Sequence, residues 1–310
     1  MKADLVQRYS MLPSGGSVLC AVSGGADSMC LLHWLNELRE VHDFSLFAAH
    51  YEHGLRGEES LRDAAFTAKA CGEINVPCTV GHGDVPAFAA DNKTGLEDAA
   101  RTLRYRFLEE TADMLGCDKI ATAHTMNDNV ETVLMNLCRG AGTRGLSGIP
   151  PVRGRLIRPL LWTTREEIEA YLLEHHIAHI EDSSNKSDVY LRNRIRHQVI
   201  PLLMEENPSV LSAIGRASEL LREDDECLCR EAEQFLEVWQ EADSIPVKPL
   251  LELDPAVAAR VLRKLCGSGV SMERTRALLQ FAKGTERGIL ELPGQKIRRE
   301  HGHLFFAKRN

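Results

Sequence analysis

The chain has 310 residues, 44% of them hydrophobic, and a net charge of −8, a length that favours two domains over one core. No apolar run approaches the ~20 residues of a membrane span, and the N-terminus lacks the basic-then-apolar order of a signal peptide. Nine scattered cysteines are an odd number and form no disulfide framework in a chain of this size, so a reducing cytoplasm is expected.

Apolar runs near 18–22, 44–49, 76–80 and 119–123 read as short buried strands, separated by helix-length segments at about 26–40, 58–73 and 95–116. That alternation predicts an α/β fold, a doubly wound, mostly parallel sheet whose ligands collect at the C-terminal strand ends. Ser23, His50 and His124 each follow such an end and are expected to face one cleft. After Pro150-Pro151 the pattern predicts a helix over 166–174 behind a Thr163-Thr164 cap, and another over 189–204 ending near Pro201. From 208 to 283 the periodicity is helical only, and 288–306 reads as a β-hairpin. The expected division is 1–205 and 206–310, the second a smaller helical domain ending in that hairpin.

The net charge hides a polarised distribution. Six arginines and no acidic residue lie between Thr132 and Arg165, Arg192, Arg194 and Arg196 follow, and residues 283–310 hold seven Lys/Arg against three Glu. Clustered cations of this kind suit phosphates. The run Glu223-Asp224-Asp225-Glu226 reads as a solvated helix face.

Four stretches carry chemistry. Ser23-Gly24-Gly25-Ala26-Asp27-Ser28 joins a strand to a helix; paired glycines let the backbone approach an anion, and the helix N-terminus supplies N–H groups, so a nucleotide phosphate is the expected guest. Asp27 suits Mg²⁺ held between phosphate oxygens. No Lys-Ser/Thr pair closes the turn and no third glycine follows, which separates it from the P-loop and the dinucleotide fingerprint. The loop His50-Tyr51-Glu52-His53-Gly54-Leu55-Arg56-Gly57-Glu58-Glu59-Ser60 raises a zinc reading for His50 and His53, but no partner pair lies at zinc-ligand spacing, and contact with nucleotide or substrate is expected instead. Asp128 and Glu131, three apart, share a helical face; a cation site and a helix-capping pattern both account for them. Arg101, Arg104 and Arg106 stand on one helix, where surface pairing is the default role.

The Ser23–Ser28 loop resembles that of the PP-loop ATP pyrophosphatases, which cleave ATP between its α- and β-phosphates. With His53–Ser60, Leu103-Arg104-Tyr105-Arg106, Ala121–Thr132, Arg139-Gly140-Ala141-Gly142, Arg158-Pro159-Leu160-Leu161, Asp182-Ser183-Ser184-Asn185 and Arg192-Asn193-Arg194-Ile195-Arg196, the motif order resembles that of the tRNA(Ile)-lysidine synthetases. The resemblance implies a PP-loop, Rossmann-like domain that adenylates the C2 oxygen of the wobble cytidine in a minor isoleucine tRNA, after which the ε-amine of free L-lysine displaces AMP. It implies ATP contacts at Ser23, Gly24, Gly25, Ala26, Asp27, Ser28, His50, His53 and His124, and a lysine site at Arg104, Asp128 and Glu131. Catalysis falls to Asp27, Arg104, Asp128 and Glu131, tRNA contacts to Arg139, Arg144, Arg192, Arg194 and Arg196. ATP and Mg²⁺ are the implied cofactors, with no structural metal, no membrane partner and an open oligomeric state.

Two departures from the family pattern stand out. His124-Thr125-Met126-Asn127-Asp128-Asn129 replaces the usual His-His-x-Asp-Asp-Gln, keeping Asp128 but losing three potential nucleotide or metal contacts. Many members also carry a further C-terminal domain, and these 310 residues read as a short or truncated form. The rival readings are a tRNA thiolase of the same class and a non-catalytic tRNA-binding relative. The first usually needs reactive cysteines; no Cys-x-x-Cys occurs, Cys227-Leu228-Cys229 is nearest, and Cys20, Cys30 and Cys138 read as packed thiols.

Overall fold

The computed structural model describes residues 2–54, 57–181, 191–239, 244–267, 270–284, 287–293 and 295–306. Arg56 and the stretch Asp182–Asn185 lie outside the described residues. The chain divides into two compact units, Met1–Ser218 and Glu219–Asn310, a division that falls within a long helix some thirteen residues beyond the expected 205/206 boundary.

Helix α1 (Ala3–Arg8) precedes strand β1 (Ser17–Ala21), helix α2 (Ala26–His42), β2 (Ser45–Glu52), α3 (Glu58–Glu73) and β3 (Cys78–His82). Then come α4 (Val85–Asn92), α5 (Leu96–Leu115), β4 (Lys119–Ala121), α6 (Met126–Cys138), α7 (Thr143–Leu146), β5 (Val152–Arg153), β6 (Leu156–Ile157) and α8 (Arg165–Glu174). The sheet order is β3-β2-β1-β4-β6-β5, parallel throughout except for the β5–β6 edge pair. The strand order reverses at β1, between β2 and β4, so their C-terminal ends open the crevice that such sheets use for ligands.

Both faces of this sheet are covered, as the near-continuous apolar runs require. Val18 and Cys20 of β1 pack with Met29 and Leu32 of α2 on one side. Leu19, between them in sequence, points to the other side with Leu108 and Ala112 of α5. The strands and helices read from the sequence are therefore present in this part of the chain, with α1, α4, α7 and the β5–β6 pair in addition. That edge pair escaped because each strand is two residues long and sits inside an arginine-rich turn segment.

Helix α9 (Leu191–Arg194), a π-helical turn at Ile195–Val199 and α10 (Ile200–Glu206) follow one another. Pro201 lies in the first turn of α10, where its missing N–H costs nothing, so the helix runs past the expected stop. Helix α11 (Val210–Val238) leads into the second unit, which contains β7 (Ser244–Pro246), α12 (Val247–Glu252), α13 (Pro255–Cys266), α14 (Met272–Lys283), β8 (Gly288–Leu292), β9 (Gln295–Glu300) and β10 (His303–Phe306). The expected hairpin is β8–β9; β10 and β7 extend it to an antiparallel sheet of order β7-β10-β9-β8. β7 lies in a stretch read as wholly helical. Ile245, Val247, Leu250, Val261, Leu278, Ile297 and Leu304 form the core of this unit. The acidic run also differs from expectation: Glu223, Asp224 and Glu226 are exposed, while Asp225 is buried and accepts a 2.6 Å hydrogen bond from Arg260.

No helix among the described residues is long and apolar enough to cross a membrane. Nor is any group of three or more His, Cys, Asp or Glu there arranged to hold a metal ion.

Candidate active site

The turn after β1 is tight because Gly24 adopts φ +88° and a Cβ there would meet Ile180 Cδ1 at 2.7 Å; only glycine takes this conformation without strain. Ile180 N–H also donates to the Gly24 carbonyl, so the segment after α8 braces the loop. Ser28 closes the turn from the other side: its Oγ accepts from the Ser23 N–H at 3.0 Å, donates to the Gly25 carbonyl and lies 3.1 Å from Ser23 Oγ. Gly25 is the N-cap of α2 and offers no side-chain cap. The first-turn N–H groups of α2, which no helix can satisfy internally, therefore face the crevice with the helix's partial positive charge.

That crevice is a cleft of about 1400 Å³ lined by Ser23, Gly25, Ala26, Asp27, Ser28, His50, His53, Arg104, His124, Asp128, Arg165 and Arg192. Sequence-distant candidates thus share one wall-to-wall space. Gly24 lies beneath the turn rather than in its lining. His50 is buried and donates from Nδ1 to the Val22 carbonyl at 2.9 Å, which fixes its tautomer and leaves Nε2 as an acceptor. Burial pushes its pKa down. His53 stands edge-on to Tyr51, ring centroids 5.1 Å apart.

His124 lies just beyond β4 with Nδ1 3.1 Å from Thr122 Oγ1. Burial lowers its pKa from 6.5 to about 4, despite the opposing Asp128 charge. Because the folded value lies below the free one, the unfolded chain takes up this proton first, and stability is lost as pH falls from 6.5 towards 4. His124→Gln is expected to flatten that part of the stability–pH curve. Denaturation midpoints at pH 7 and pH 5 for both proteins measure it, and equal losses in the two would remove His124 as the cause.

The altered motif turns out to be structural at each changed position. Thr125 is the N-cap of α6: its Oγ1 accepts from the Asp128 N–H, and Asp128 Oδ2 accepts from the Thr125 N–H at 2.9 Å. The capping pattern expected from sequence, Asn127 or Asp128 with Glu131 reaching back, is met through Asp128, which pairs with Thr125 and not with Glu131. Asn127 Oδ1 accepts from the Arg165 N–H at 3.0 Å, tying α6 to the start of α8. Asn129 bridges the Ile149 N–H and Ser218 Oγ.

Glu131 is fully buried (0% exposed) and carries two arginines. Its Oε2 accepts from Arg192 Nε at 2.7 Å and from Arg196 Nη2 at 3.1 Å, and its Oε1 from Arg196 Nε at 2.5 Å. Asp128 Oδ1 lies 3.5 Å from Arg192 Nη2 and from Arg196 Nη2. Arg192 and Arg196, read as phosphate ligands, are thus turned onto the two carboxylates. Their side chains are 35% and 37% exposed. The i, i+4 spacing across the π-helical junction puts both on one face, a signal visible in sequence but without the partner it points to. Arg194 is exposed.

The arginine-rich stretch divides similarly. Arg139, Arg144 and Arg153 are exposed. Arg158 is buried and donates to the Pro150 carbonyl at 2.6 Å, and Arg155 is held by Glu109, Asp113 and the Cys117 carbonyl. Arg165 reaches into the cleft, where Nη1 meets Asp27 Oδ1 at 2.8 Å. Burial raises the Asp27 pKa, and the Arg165 charge opposes that shift. Arg104, by contrast, makes no ion pair among the described residues; its guanidinium lies 5.7 Å from the Tyr105 ring centroid, and burial lowers its pKa. A desolvated cation in this position is complementary to an anionic group.

Among the cysteines, Cys20 and Cys30 are buried as expected, and burial raises both thiols. Cys138, read as packed, is exposed at the end of α6.

The PP-loop domain family matches residues 3–203. The tRNA(Ile)-lysidine synthase of Geobacillus kaustophilus is 36% identical over 97% of this chain and 69% of its own length. Those of Thermosipho africanus and Parabacteroides distasonis are 42% and 44% identical over 69% and 70% of this chain, which spans 50% and 48% of their lengths. The U34-tRNA thiolase NcsA of Methanococcus maripaludis superposes with a TM-score of 0.59 at 19% identity, covering 71% of this chain and 78% of that one, and shares the fold. A PP-loop domain over residues 3–203 and a relative 36% identical over 97% of this chain and 69% of its own length assign the chain to the tRNA(Ile)-lysidine synthase family of PP-loop proteins.

Proposed function

We propose that this protein ligates free L-lysine to C2 of the wobble cytidine of a minor isoleucine tRNA, in the cytoplasm, through an adenylated tRNA intermediate. The observation that carries the reading is one cleft lined by residues of the Ser23–Ser28 loop, by the desolvated Arg104 and by Asp128. The loop N–H groups and the hydroxyl of Ser23 receive the ATP phosphates, while Ser28 holds the loop in shape. The cytidine O2 attacks the α-phosphorus, the bond to the bridging oxygen breaks, and pyrophosphate leaves with the electron pair. Loop donors stabilise the charge developing on it.

A divalent ion fits here in one way. Asp27 is the carboxylate carried by the loop itself, and Mg²⁺ is commonly held by one or two carboxylates plus substrate phosphates; such an ion would neutralise charge on the leaving pyrophosphate. In the second step the lysine carboxylate lies on Arg104 and its ammonium on Asp128, backed by Glu131. His50 and His124, kept neutral by burial, line the nucleotide side without adding positive charge. An Asp128 carboxylate near the ε-amine also accepts its proton, since only the neutral amine attacks C2; the C2–O bond then breaks and AMP leaves with its electron pair.

Mass spectrometry of isoleucine tRNA after incubation with ATP, Mg²⁺ and labelled lysine tests the reading. Label at the wobble cytidine supports it. ATP consumption that depends on a sulfur donor instead of lysine identifies a thiolase, and the absence of any turnover identifies a binding relative.

The arginines of residues 191–196 are expected to separate by role. Arg194→Ala should lower the slope of log affinity against log salt by about one, as one lost phosphate contact does. Removing Arg192 and Arg196 together leaves Glu131 buried without counter-charge and should cost about 3–5 kcal/mol of stability. Salt-dependent tRNA titrations beside urea unfolding measure both, and a stable double variant with a reduced slope would return these two residues to the phosphates.

A further inference from the structure

Arg165 belongs to a basic stretch whose other exposed members, Arg139, Arg144 and Arg153, lie outside the cleft lining. Its own position is different. Helix α8 begins at Arg165 with Thr164 as N-cap in a capping box with Glu167, and the Arg165 N–H is fastened to Asn127 Oδ1. The backbone is therefore fixed on both sides of the residue. Nε is held by Glu169 Oε1 at 2.8 Å one turn later, and Nη1 lies on Asp27 Oδ1. Nη2 makes no hydrogen bond among the described residues. The guanidinium thus presents a fork to the nucleotide loop, 42% exposed and beside a carboxylate that is 34% exposed.

We infer that Arg165 is a pyrophosphate-contacting residue of the adenylation step, one that exchanges its Asp27 partner for the β- and γ-phosphate oxygens when nucleotide arrives. The inference rests on the proposed ligase reading. Its logic is charge conservation. When Asp27 turns to the cation that accompanies ATP, the Arg165–Asp27 pair loses its acceptor, and a planar guanidinium next to phosphate oxygens is suited to bidentate contact. The charge then meets the pyrophosphate as its negative charge grows, where fixed donors contribute most to rate. Glu169 keeps the fork aimed through Nε, and the positive end of α8 adds to the same field. A purely structural pair joining α8 to α2 is the competing role; the 2.6 Å hydrogen bond from Tyr171 Oη to Glu37 already joins those helices.

The two roles separate in ATP–pyrophosphate exchange with isoleucine tRNA. For Arg165→Ala the KM for inorganic pyrophosphate is expected to rise about 10- to 100-fold, with the lysine KM of the complete reaction and the unfolding midpoint close to wild type. Arg165→Lys keeps the charge but loses the fork and should recover only part of the effect. A pyrophosphate KM within about two-fold of wild type in both variants overturns the inference, and so does an equal rise in the pyrophosphate and lysine constants accompanied by a lowered midpoint. Absence of exchange in the wild-type enzyme overturns instead the ligase reading beneath it.

Discussion

Glu131→Gln is expected to raise the lysine requirement of the reaction by about 10- to 100-fold, the loss of one charge-assisted interaction of about 1.5–3 kcal/mol, while the ATP requirement changes far less. The route runs through the arginines. Glu131 is fully buried and engages Arg192 and Arg196 through three hydrogen bonds of 2.5–3.1 Å. A neutral glutamine accepts less from them, so both guanidiniums shift towards Asp128 Oδ1, already 3.5 Å away. Asp128 is then neutralised by the protein's own cations and attracts an ammonium less. Adenylated tRNA should still form and accumulate at low lysine. Initial rates over a lysine series, with AMP and pyrophosphate followed separately, give the answer; loss of pyrophosphate release at saturating lysine would assign Glu131 to the nucleotide half of the site.

Asp27→Asn should reduce pyrophosphate release by about 100- to 1000-fold, the range for removal of one group that stabilises transition-state charge. The fold should survive. The Asp27–Arg165 pair is more than one-third exposed on average, and a pair of that kind contributes about 0–1 kcal/mol. Asparagine also keeps an oxygen for Arg165 Nη1. Burial already works against the Asp27 charge, so its retention beside the loop is consistent with a role in binding a cation and phosphates. Release of pyrophosphate at the wild-type rate, with the unfolding midpoint unchanged, would exclude Asp27 from the chemistry.

The cleft itself was legible in the residue pattern because each of its walls is local. Strand, double glycine and helix follow one another within residues 17–42, and His50 and His124 each stand directly after a buried apolar run. In a parallel sheet the chain leaves every strand at the same edge, so residues at these positions converge without any need for distant contact information. The β5–β6 edge and β7 were not legible: strands of two and three residues are too short for a period to register. Asp225 shows the same difficulty in another form, because the one buried member of this acidic run pairs with Arg260, thirty-five positions away, which no local pattern reveals.

What the sequence by itself determined was the loop, the parallel sheet around it, the family pattern and the candidate residues, all of which depend on neighbours within a turn or on the order of elements. Only the tertiary structure decided which charge meets which. Arg192 and Arg196 looked like solvent-facing cations, and Arg165 like one more member of a basic stripe. The fold instead brings the first two onto Glu131, across 61 and 65 residues, and the third onto Asp27, across 138. The physical reason is that a buried carboxylate must find a counter-charge or give up its own. Which arginine supplies it is set by the packing of α6, α8 and α9 around the cleft, and no local spacing encodes that choice.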